Sequence, residues 1–427
     1  VGADGVKKDE GLGVAGADGV ATVQFLLGGG VIQPGDALTL SRSGGKPLRV
    51  TVPALAAAVD VANDRVFGTA PAGSQLALSI ATGGAGAATI ERSATADAGG
   101  AFALALSGEV DLQAGAVAGT VSLTTAENHR FVTQFASLGA QMTLGAYAIR
   151  GQAPAGALVS AEILRADGTT QTIPPTRVTG GTAFVLSVLG QGAPSAPPQP
   201  LAAGQVITIR TTGGPAGSDE TRTATLAALT VALDPAADAV SGTGPAATML
   251  TLNADDMDGR SGSYGATTDG AGAYALPLSG QLDLGAGWRV RASYEAAPGA
   301  RVVAVAVVRK VRAAVGFLAG QGRAEPGQPV TVTLRSSAGT VKTQQRTFVN
   351  DQGQYNLFGG GGFGPAPTPG DSIEIAFVDG DPDVLRVPTL TARTDVTADT
   401  VSGEAPAGAA VRVRVETAAG APSFTAV

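Results

Sequence analysis

The residue best suited to catalysis is the only histidine, His129, in the stretch TAENHRF. A serine hydrolase needs a histidine that takes the proton of the serine and an acid that orients the histidine. The sequence contains no G-x-S-x-G stretch, the sharp turn that presents such a serine in one large hydrolase class. We therefore predict that His129 lies in an exposed loop and that the chain is not an enzyme.

A second candidate is the stretch VDGDPDVL, which places Asp379, Asp381 and Asp383 at alternate positions. Carboxylate oxygens are the preferred ligands of Ca²⁺. The stretch lacks the glycine and the distal glutamate of an EF-hand loop, which excludes that class. Either these three aspartates bind Ca²⁺ or they form a solvated turn between strands. The sequence indicates no other cofactor.

Three pairs of aspartates precede a glycine by eight and four residues. The pairs are Asp60 and Asp64, Asp234 and Asp238, and Asp395 and Asp399. Two carboxylates at the junction of two domains could share a cation and stiffen the junction. The alternative is that each aspartate caps a turn through its own side chain, as aspartates commonly do.

Two further groups could bind a partner. Trp288, Tyr264, Tyr274 and Tyr294 lie close together in the sequence and could stack on a surface glycan. Tyr274, however, occupies a position predicted to be in a core, and aromatics make up 4% of the chain. The cluster GVKKDEG (5–11) is predicted to be a solvated loop that could pair with another copy.

The composition narrows the class of protein that must position these residues. The chain has 427 residues, 62 glycines, 25 prolines, no cysteine and a net charge of −7. Its apolar fraction is too high for a disordered chain, and its basic residues do not cluster as in nucleic-acid-binding proteins. The longest apolar run, VVAVAVV (302–308), is too short to span a membrane and predicts a buried strand.

The sequence repeats itself at intervals of about 84 residues. Four stretches resemble VSGEAPAGAAV (401–411), and each of the five has a glycine followed eight positions later by an apolar residue. We call these glycines the anchor glycines: Gly68, Gly151, Gly242, Gly322 and Gly403, spaced by 83, 91, 80 and 81 residues. Such a period indicates a tandem array of structural repeats.

Each repeat contains segments in which apolar residues alternate with small or polar ones. Phe102, Leu104 and Leu106 form one such segment, preceded by Asp and Gly. This period is typical of a half-buried strand that follows a tight turn. The stretch PALAAAVDVAND (53–64) could pass for a helix, but its counterpart near residue 390 is rich in Thr and Val, so we predict a strand and a short linker.

We therefore predict an all-β fold, a tandem array of Ig-like β-sandwich domains arranged like beads on a string. The predicted boundaries are a C-terminal half-domain at 1–55, four whole domains at 56–138, 139–230, 231–312 and 313–402, and the N-terminal strands of a further domain at 403–427.

The two predicted end segments complement each other, because together they contain about one repeat. One explanation is strand addition between copies: the C-terminal strands of one copy complete the N-terminal half of the next, giving a head-to-tail fibre. The other is that the sequence is a window on a longer array. The predicted assembly interface comprises Val411, Val413, Val415, Val23, Phe25, Leu27, Leu38 and Leu40.

The stretches VSGEAPAGAAVRVRV, DGAGAYALPLSG and AGWRVRA together resemble the bacterial Ig-like repeat domains of large surface adhesins, biofilm proteins and cell-surface filaments. The resemblance implies sandwiches of about seven strands, exported from the cell, and in many relatives calcium stiffens the junctions. This chain has Ala where relatives often carry Thr, Asp or Asn.

Three functions follow as expectations. The first is a structural subunit of an extracellular filament, sheath or surface layer that polymerises by half-domain complementation, with other copies of itself as partners. The second is a stalk segment of a giant bacterial adhesin. The third is a non-catalytic accessory region of an exported enzyme. In each case we expect a cell-surface or secreted location, with no nucleic-acid partner and no membrane span.

Overall fold

The computed structural model describes residues 1, 5–8, 10, 32–41, 45–83, 88–189, 199–214, 218–313, 320–357, 365–378, 382–414 and 423–426. Over these residues it is all-β, with a single turn of 3-10 helix at Val61–Asn63. None of the described helical segments is long and apolar enough to cross a membrane. The predicted fold class is confirmed.

Contacts divide the chain into two units. The first comprises Val1–Met142, Ala148–Ala228 and Tyr294–Val303, and the second comprises Thr143–Tyr147, Leu229–Ser293 and Ala304–Val427. These units do not follow the predicted domain boundaries, which remain predictions.

The first unit begins with an antiparallel hairpin of two strands, β1 (Ala37–Leu40) and β2 (Leu48–Thr51). Asp36 precedes β1, and its buried carboxylate accepts a hydrogen bond from the backbone N–H of Gln33 at 2.8 Å. The side chain of Leu40 is 61% exposed although it alternates with polar residues along the strand.

Seven strands then form the first complete sandwich. They are β3 (Ala56–Asp60), β4 (Arg65–Thr69), β5 (Gln75–Thr82), β6 (Thr89–Thr95), β7 (Ala101–Ala105), β8 (Val117–Thr124) and β9 (Arg130–Ala136). One sheet has the order β3-β4-β7 and the other β6-β5-β8-β9. The stretch that could pass for a helix is β3 followed by the 3-10 turn, so the strand prediction is confirmed.

The core of this sandwich comes from the alternating positions that the sequence singled out. Phe102 and Leu106 are buried, and Leu104 packs against the same cluster. Leu76 and Leu78 of β5 are buried on the facing sheet, while Ala77 between them is exposed. Buried and exposed residues alternate along a strand that is buried on one face, because successive side chains point to opposite faces.

The same strand order recurs in the first unit. The strands are β10 (Gly139–Thr143), β11 (Ala148–Gln152), β12 (Leu158–Leu164), β13 (Thr170–Arg177), β14 (Ala183–Ser187), β15 (Val206–Thr212) and β16 (Thr221–Thr225). The order β14-β11-β10 corresponds to the first sheet, and β13-β12-β15-β16 to the second. Pro174 and Pro175 lie on β13, an edge strand, where a missing backbone N–H is tolerated.

The segment Tyr294–Val303 also packs in the first unit. The backbone N–H of Ala140 donates to the carbonyl of Gly299 at 2.7 Å. Gly115 lies so close that a Cβ atom built on it would be 2.9 Å from the Cα atoms of both Gly139 and Gly299. Residues from three successive repeats therefore meet here, including two repeats that are not neighbours in the sequence.

The second unit contains a third set of strands. They are β17 (Ala232–Asp234), β18 (Ala239–Thr243), β19 (Met249–Asp255), β20 (Ser261–Thr267), β21 (Ala273–Pro277), β22 (Arg289–Ala297) and β23 (Ala300–Val307). The order β17-β18-β21 forms one sheet, and β19 pairs with β20 and with residues 289–293 of β22. The apolar run at 302–308 lies largely on β23, so its strand prediction is confirmed.

A fourth set follows in the second unit. The strands are β24 (Lys310–Ala313), β25 (Gly320–Arg323), β26 (Pro329–Arg335), β27 (Val341–Phe348), β28 (Gln354–Leu357), β29 (Ser372–Phe377) and β30 (Asp383–Arg386). The sheets have the orders β24-β25-β28 and β27-β26-β29-β30. Their shared core includes Val332, Leu334, Ile373 and Ile375, all fully buried.

Four more strands complete the second unit as two hairpins. They are β31 (Arg393–Asp395), β32 (Thr400–Ser402), β33 (Val411–Arg414) and β34 (Ser423–Ala426). β31 pairs with β32, and β33 with β34. By order and spacing they correspond to the first four strands of the preceding sandwiches.

Glycine recurs at the anchor position for the same structural reason in four repeats. Four of them lie on the second strand of a sandwich and pair directly with an aromatic residue: Gly68 with Phe102, Gly151 with Phe184, Gly242 with Tyr274 and Gly322 with Tyr355. The ring covers the glycine, so a Cβ atom on Gly322 would be 2.0 Å from the ring of Tyr355. The repeated glycine therefore makes room for a core aromatic.

Candidate functional site

His129 lies in the turn that joins β8 to β9. The backbone N–H of Thr125 donates to the carbonyl of His129 at 2.9 Å, and the N–H of His129 approaches the Thr125 hydroxyl at 3.3 Å. The histidine side chain is half-buried. The geometry gives His129 a role in closing the hairpin, and the absence of catalysis stays a prediction.

Asp383 is exposed at the start of β30, where it pairs with Ile375. Asp379 and Asp381 lie outside the described residues. Among the residues described, no group of three or more His, Cys, Asp or Glu side chains is placed to hold a metal ion. The Ca²⁺ site at 379–383 thus remains a prediction.

The first aspartate of each pair caps the turn that follows it. The carboxylate of Asp60 accepts from the N–H of Asn63 at 3.3 Å, that of Asp234 from Ala236 at 3.0 Å, and that of Asp395 from Thr397 at 2.9 Å. Hydrogen bonding to Asn63, together with Arg65, lowers the pKa of Asp60 although burial opposes the shift. Each of these carboxylates therefore binds the backbone of the turn that follows it.

The second aspartate of each pair has a different role. Asp64 and Asp238 adopt a left-handed backbone, each with φ of 46°, which Asp tolerates better than most residues. Their carboxylates reach across the sandwich and accept a backbone N–H from the loop before the sixth strand. Asp64 accepts from Leu112 and Asp238 from Leu284, both at 2.8 Å. We call this long-range contact the aspartate latch.

The aromatic residues do not form an exposed platform. The side chains of Trp288, Tyr274 and Tyr294 are 1%, 6% and 7% exposed, and Tyr264 is half-buried on β20. Burial raises the pKa of Tyr274 to about 12, and its hydroxyl donates to the carbonyl of Thr230 at 2.9 Å. These rings belong to the fold, and a glycan partner stays a prediction.

The charged segment near residue 8 contacts the first hairpin. The ammonium group of Lys8 donates to the carboxylate of Asp36 at 3.0 Å. The N–H of Gln33 and then Lys8 lower the pKa of Asp36. The predicted solvated loop therefore includes an ordered ion pair.

A buried polar cluster lies in the second unit and centres on Asp255, at the end of β19. Arg289 of β22 donates to both carboxylate oxygens of Asp255, at 2.8 and 2.9 Å. Arg323 of β25 donates to the same carboxylate at 2.7 Å. The two arginine side chains are 8% and 6% exposed, so one carboxylate holds two buried guanidinium groups.

Backbone carbonyls satisfy much of the remaining donor capacity of this cluster. Arg323 also donates to the carbonyls of Asp255 at 2.7 Å and Gly287 at 2.8 Å. Arg289 donates to the carbonyl of Gln352. Burial lowers the pKa of Arg323, and the negative charge of Asp255 opposes that shift. A buried charge keeps its ionised form when it is paired and hydrogen-bonded in this way.

The cluster joins elements from two successive repeats. Asp255 and Arg289 belong to the third set of strands, whereas Arg323 and Gln352 belong to the fourth. Its guanidinium groups are fixed donors and its carboxylate is occupied, so it has the features of a structural joint. The sequence did not predict it, because four separate stretches supply its members and none of them matches a motif.

The predicted assembly residues lie only partly within the described chain. Val415, Val23, Phe25 and Leu27 fall outside the described residues. Val411 and Val413 lie half-buried on β33, Leu38 is half-buried on β1, and Leu40 is exposed. The assignment of these residues to an interface stays a prediction.

A groove in the first unit lies beside Gly115 and Gly299. Its lining includes Gln113, Gln152 and Arg301. The amide of Gln152 donates to the carbonyl of Gly115 at 2.9 Å, so this lining group already has an internal partner. The residues that line the groove include no histidine or cysteine.

No family model matches the chain, and no curated protein does. The solved structures that resemble the chain include three from adhesion proteins. A tetra-tandem repeat in the extending region of a large adhesion protein is 15% identical, with 83% of this chain and 99% of that chain covered and a TM-score of 0.17. A Ca²⁺-stabilised, ice-binding adhesin of an Antarctic bacterium is 16% identical, with 82% and 94% covered and a TM-score of 0.14.

A third structure, from a 1.5-MDa bacterial ice-binding adhesin, is 16% identical, with 59% of this chain and 93% of that chain covered and a TM-score of 0.15. The chain shares too little sequence and too little overall superposition with these three structures for them to assign it a family.

Proposed function

We propose that this chain is a non-catalytic structural array outside the cell, serving as a stalk segment of a bacterial surface adhesin. One observation supports the proposal above all: the same seven-strand order occurs four times, with the same anchor glycine beneath an aromatic ring in each. Repetition of one unit increases the length of a protein without adding chemistry.

The polar residues support the same proposal. The paired aspartates bind backbone N–H groups, and the Asp255 cluster joins two successive repeats. Each of these groups stabilises the array. The adhesin structures named above include an extending region, and an extending role for this chain is part of the proposal.

A test of location uses intact bacterial cells that make the protein. We expect an added protease to cleave the chain without lysis of the cells, and antibodies against residues 56–402 to label the cell surface. A cytoplasmic protein that remains uncut in the same sample is the control. Complete protection of the chain until lysis would contradict the proposal.

A second candidate function is the subunit of an extracellular filament or sheath. It is favoured by apolar side chains that are core residues in the whole sandwiches but are exposed in the two partial ones. Leu40 lies five residues after Gly35 and is 61% exposed, whereas Ile375, five after Gly370, is fully buried. Val401 is 39% exposed, whereas Val66, at the same distance from its anchor glycine, is fully buried.

A further inference from the structure

A third aspartate, Asp399, occupies the position of the acceptor in the aspartate latch. Asp399 has a left-handed backbone with φ of 49°, and it precedes its anchor glycine by four residues, as Asp64 and Asp238 do. The carboxylates of Asp64 and Asp238 each hold a backbone N–H of a distant loop. Asp399 is exposed and accepts no such hydrogen bond within the described chain.

The backbone N–H of Ile32 occupies the position of the donor in the latch. Leu112 and Leu284 each precede by three residues a turn glycine with positive φ, Gly115 and Gly287. Ile32 stands three residues before Gly35, whose φ is 87° and which begins the equivalent turn before β1. Ile32 is 48% exposed, and its N–H donates to no residue in the described chain.

We propose that the carboxylate of Asp399 accepts the backbone N–H of Ile32 in a second copy of the chain. This inference rests on the filament function, the second candidate above, and it names the contact that fixes the register between the two partial sandwiches. The apolar contact that accompanies the latch buries Val401 of one copy and Leu40 of the other.

The strands near the two ends of the chain are consistent with a second copy as the partner. Residues 393–426 supply four strands that correspond to the first four of a sandwich, and residues 37–51 supply two that correspond to the last two. Within the described chain β33 pairs only with β34, and β1 only with β2, whereas their counterparts β5 and β8 also pair with each other. Each half therefore presents a strand edge that another polypeptide can extend. A second copy of this chain carries both the matching edge and the matching donor.

The test compares four full-length chains by sedimentation equilibrium over a range of concentrations. They are the unaltered chain and the variants Asp399→Asn, Asp399→Gly and Glu404→Ala. Asparagine keeps an acceptor oxygen and tolerates the left-handed backbone. Glycine keeps that backbone but removes the acceptor. Glu404→Ala removes a nearby exposed carboxylate that lies outside the latch.

We expect the mass of the unaltered chain to rise with concentration beyond that of one copy. Asp399→Asn and Glu404→Ala should associate nearly as well, whereas Asp399→Gly should associate about tenfold more weakly or worse, because a buried N–H would lose a charged acceptor. Amide exchange over residues 32–35 should slow on association of the unaltered chain and stay fast in Asp399→Gly.

Two results would overturn the inference, and they differ in what else they affect. If the chain associates but Asp399→Gly does so equally well and protects residues 32–35, the latch is wrong while the filament function survives. If the unaltered chain stays at the mass of one copy at every concentration, the latch and the filament function both fail. The stalk function is unaffected by either result.

Discussion

At the scale of single residues, we expect mutations in the Asp255 cluster to change the free energy of unfolding strongly. A charge that leaves water must recover its hydration energy from partners, and here one carboxylate serves Arg289 and Arg323 together. Removing one member therefore affects the others. The paired aspartates differ, because each binds backbone amides and can be altered independently.

Arg323→Met should destabilise the second unit by about 2–4 kcal/mol, because it removes a buried guanidinium and leaves carbonyls and part of the Asp255 carboxylate unpaired. The matched control is Arg210→Met, where the arginine is 52% exposed and 3.9 Å from Glu162. That change should cost less than about 1 kcal/mol. Equal losses in chemical denaturation would contradict the role assigned to the cluster.

The acid stability of the chain follows from carboxylates whose folded-state pKa is lowered. Burial alone would raise the pKa of Asp371, but hydrogen bonds from Lys342 at 2.6 Å and from Thr368 at 2.8 Å lower it below its ordinary value of 3.8. Asp256 follows the same pattern, with Arg260 as its partner. A lowered pKa means that the folded state holds the proton less tightly than the unfolded state.

These groups should therefore contribute their full stabilisation, independent of pH, well above pH 3.8. That contribution should be lost as the pH falls from about 3.8 through their lower folded-state values. Asp371→Asn should be less stable near neutral pH and should lose less stability on acidification. Denaturant titrations from pH 7 to pH 2.5 measure both effects. An acid slope as steep in Asp371→Asn as in the unaltered chain would refute this assignment.

At the scale of elements, each sandwich depends on the close approach between an anchor glycine and an aromatic ring. A Cβ atom on Gly242 would be 2.1 Å from the carbonyl oxygen of Thr230 and 2.7 Å from the hydroxyl of Tyr274. Neither the backbone nor the buried ring can move away without disturbing the sheet. This is why glycine recurs at this position while the surrounding residues vary.

Gly242→Ala should destabilise the second unit by about 2 kcal/mol or more, as expected for overpacking at a buried strand position. Gly270→Ala is the matched control, because a Cβ atom there meets nothing within 4 Å. That control should change stability by no more than about 0.5 kcal/mol. Thermal unfolding of both variants measures the difference, and similar melting temperatures would refute the packing argument.

Strands with a buried face were predictable from the sequence, because burial leaves a pattern of apolar residues. Alternation at Phe102–Leu106 and the run at 302–308 located β7 and β23, and comparison of repeats corrected the helical appearance of β3. The contact of Gly115 with Gly299 was not predictable, because it depends on how distant loops meet. The Asp255 cluster escaped for the same reason.

At the scale of the whole molecule, we infer that the chain is a row of repeats that each fold around their own core. The buried clusters at 57–135 and 324–387 are separate, as this claim requires. The contacts nevertheless group the chain into two units, so the two descriptions predict different unfolding behaviour.

Pulling a single chain from both ends with an atomic force microscope tests this claim most directly. We expect four principal unfolding events, each releasing the length of one repeat, roughly 280 Å for about 84 residues at 3.3–3.6 Å per residue. Two events of about twice that length, or a single one, would contradict it, because the repeats would then unfold as larger cooperative units.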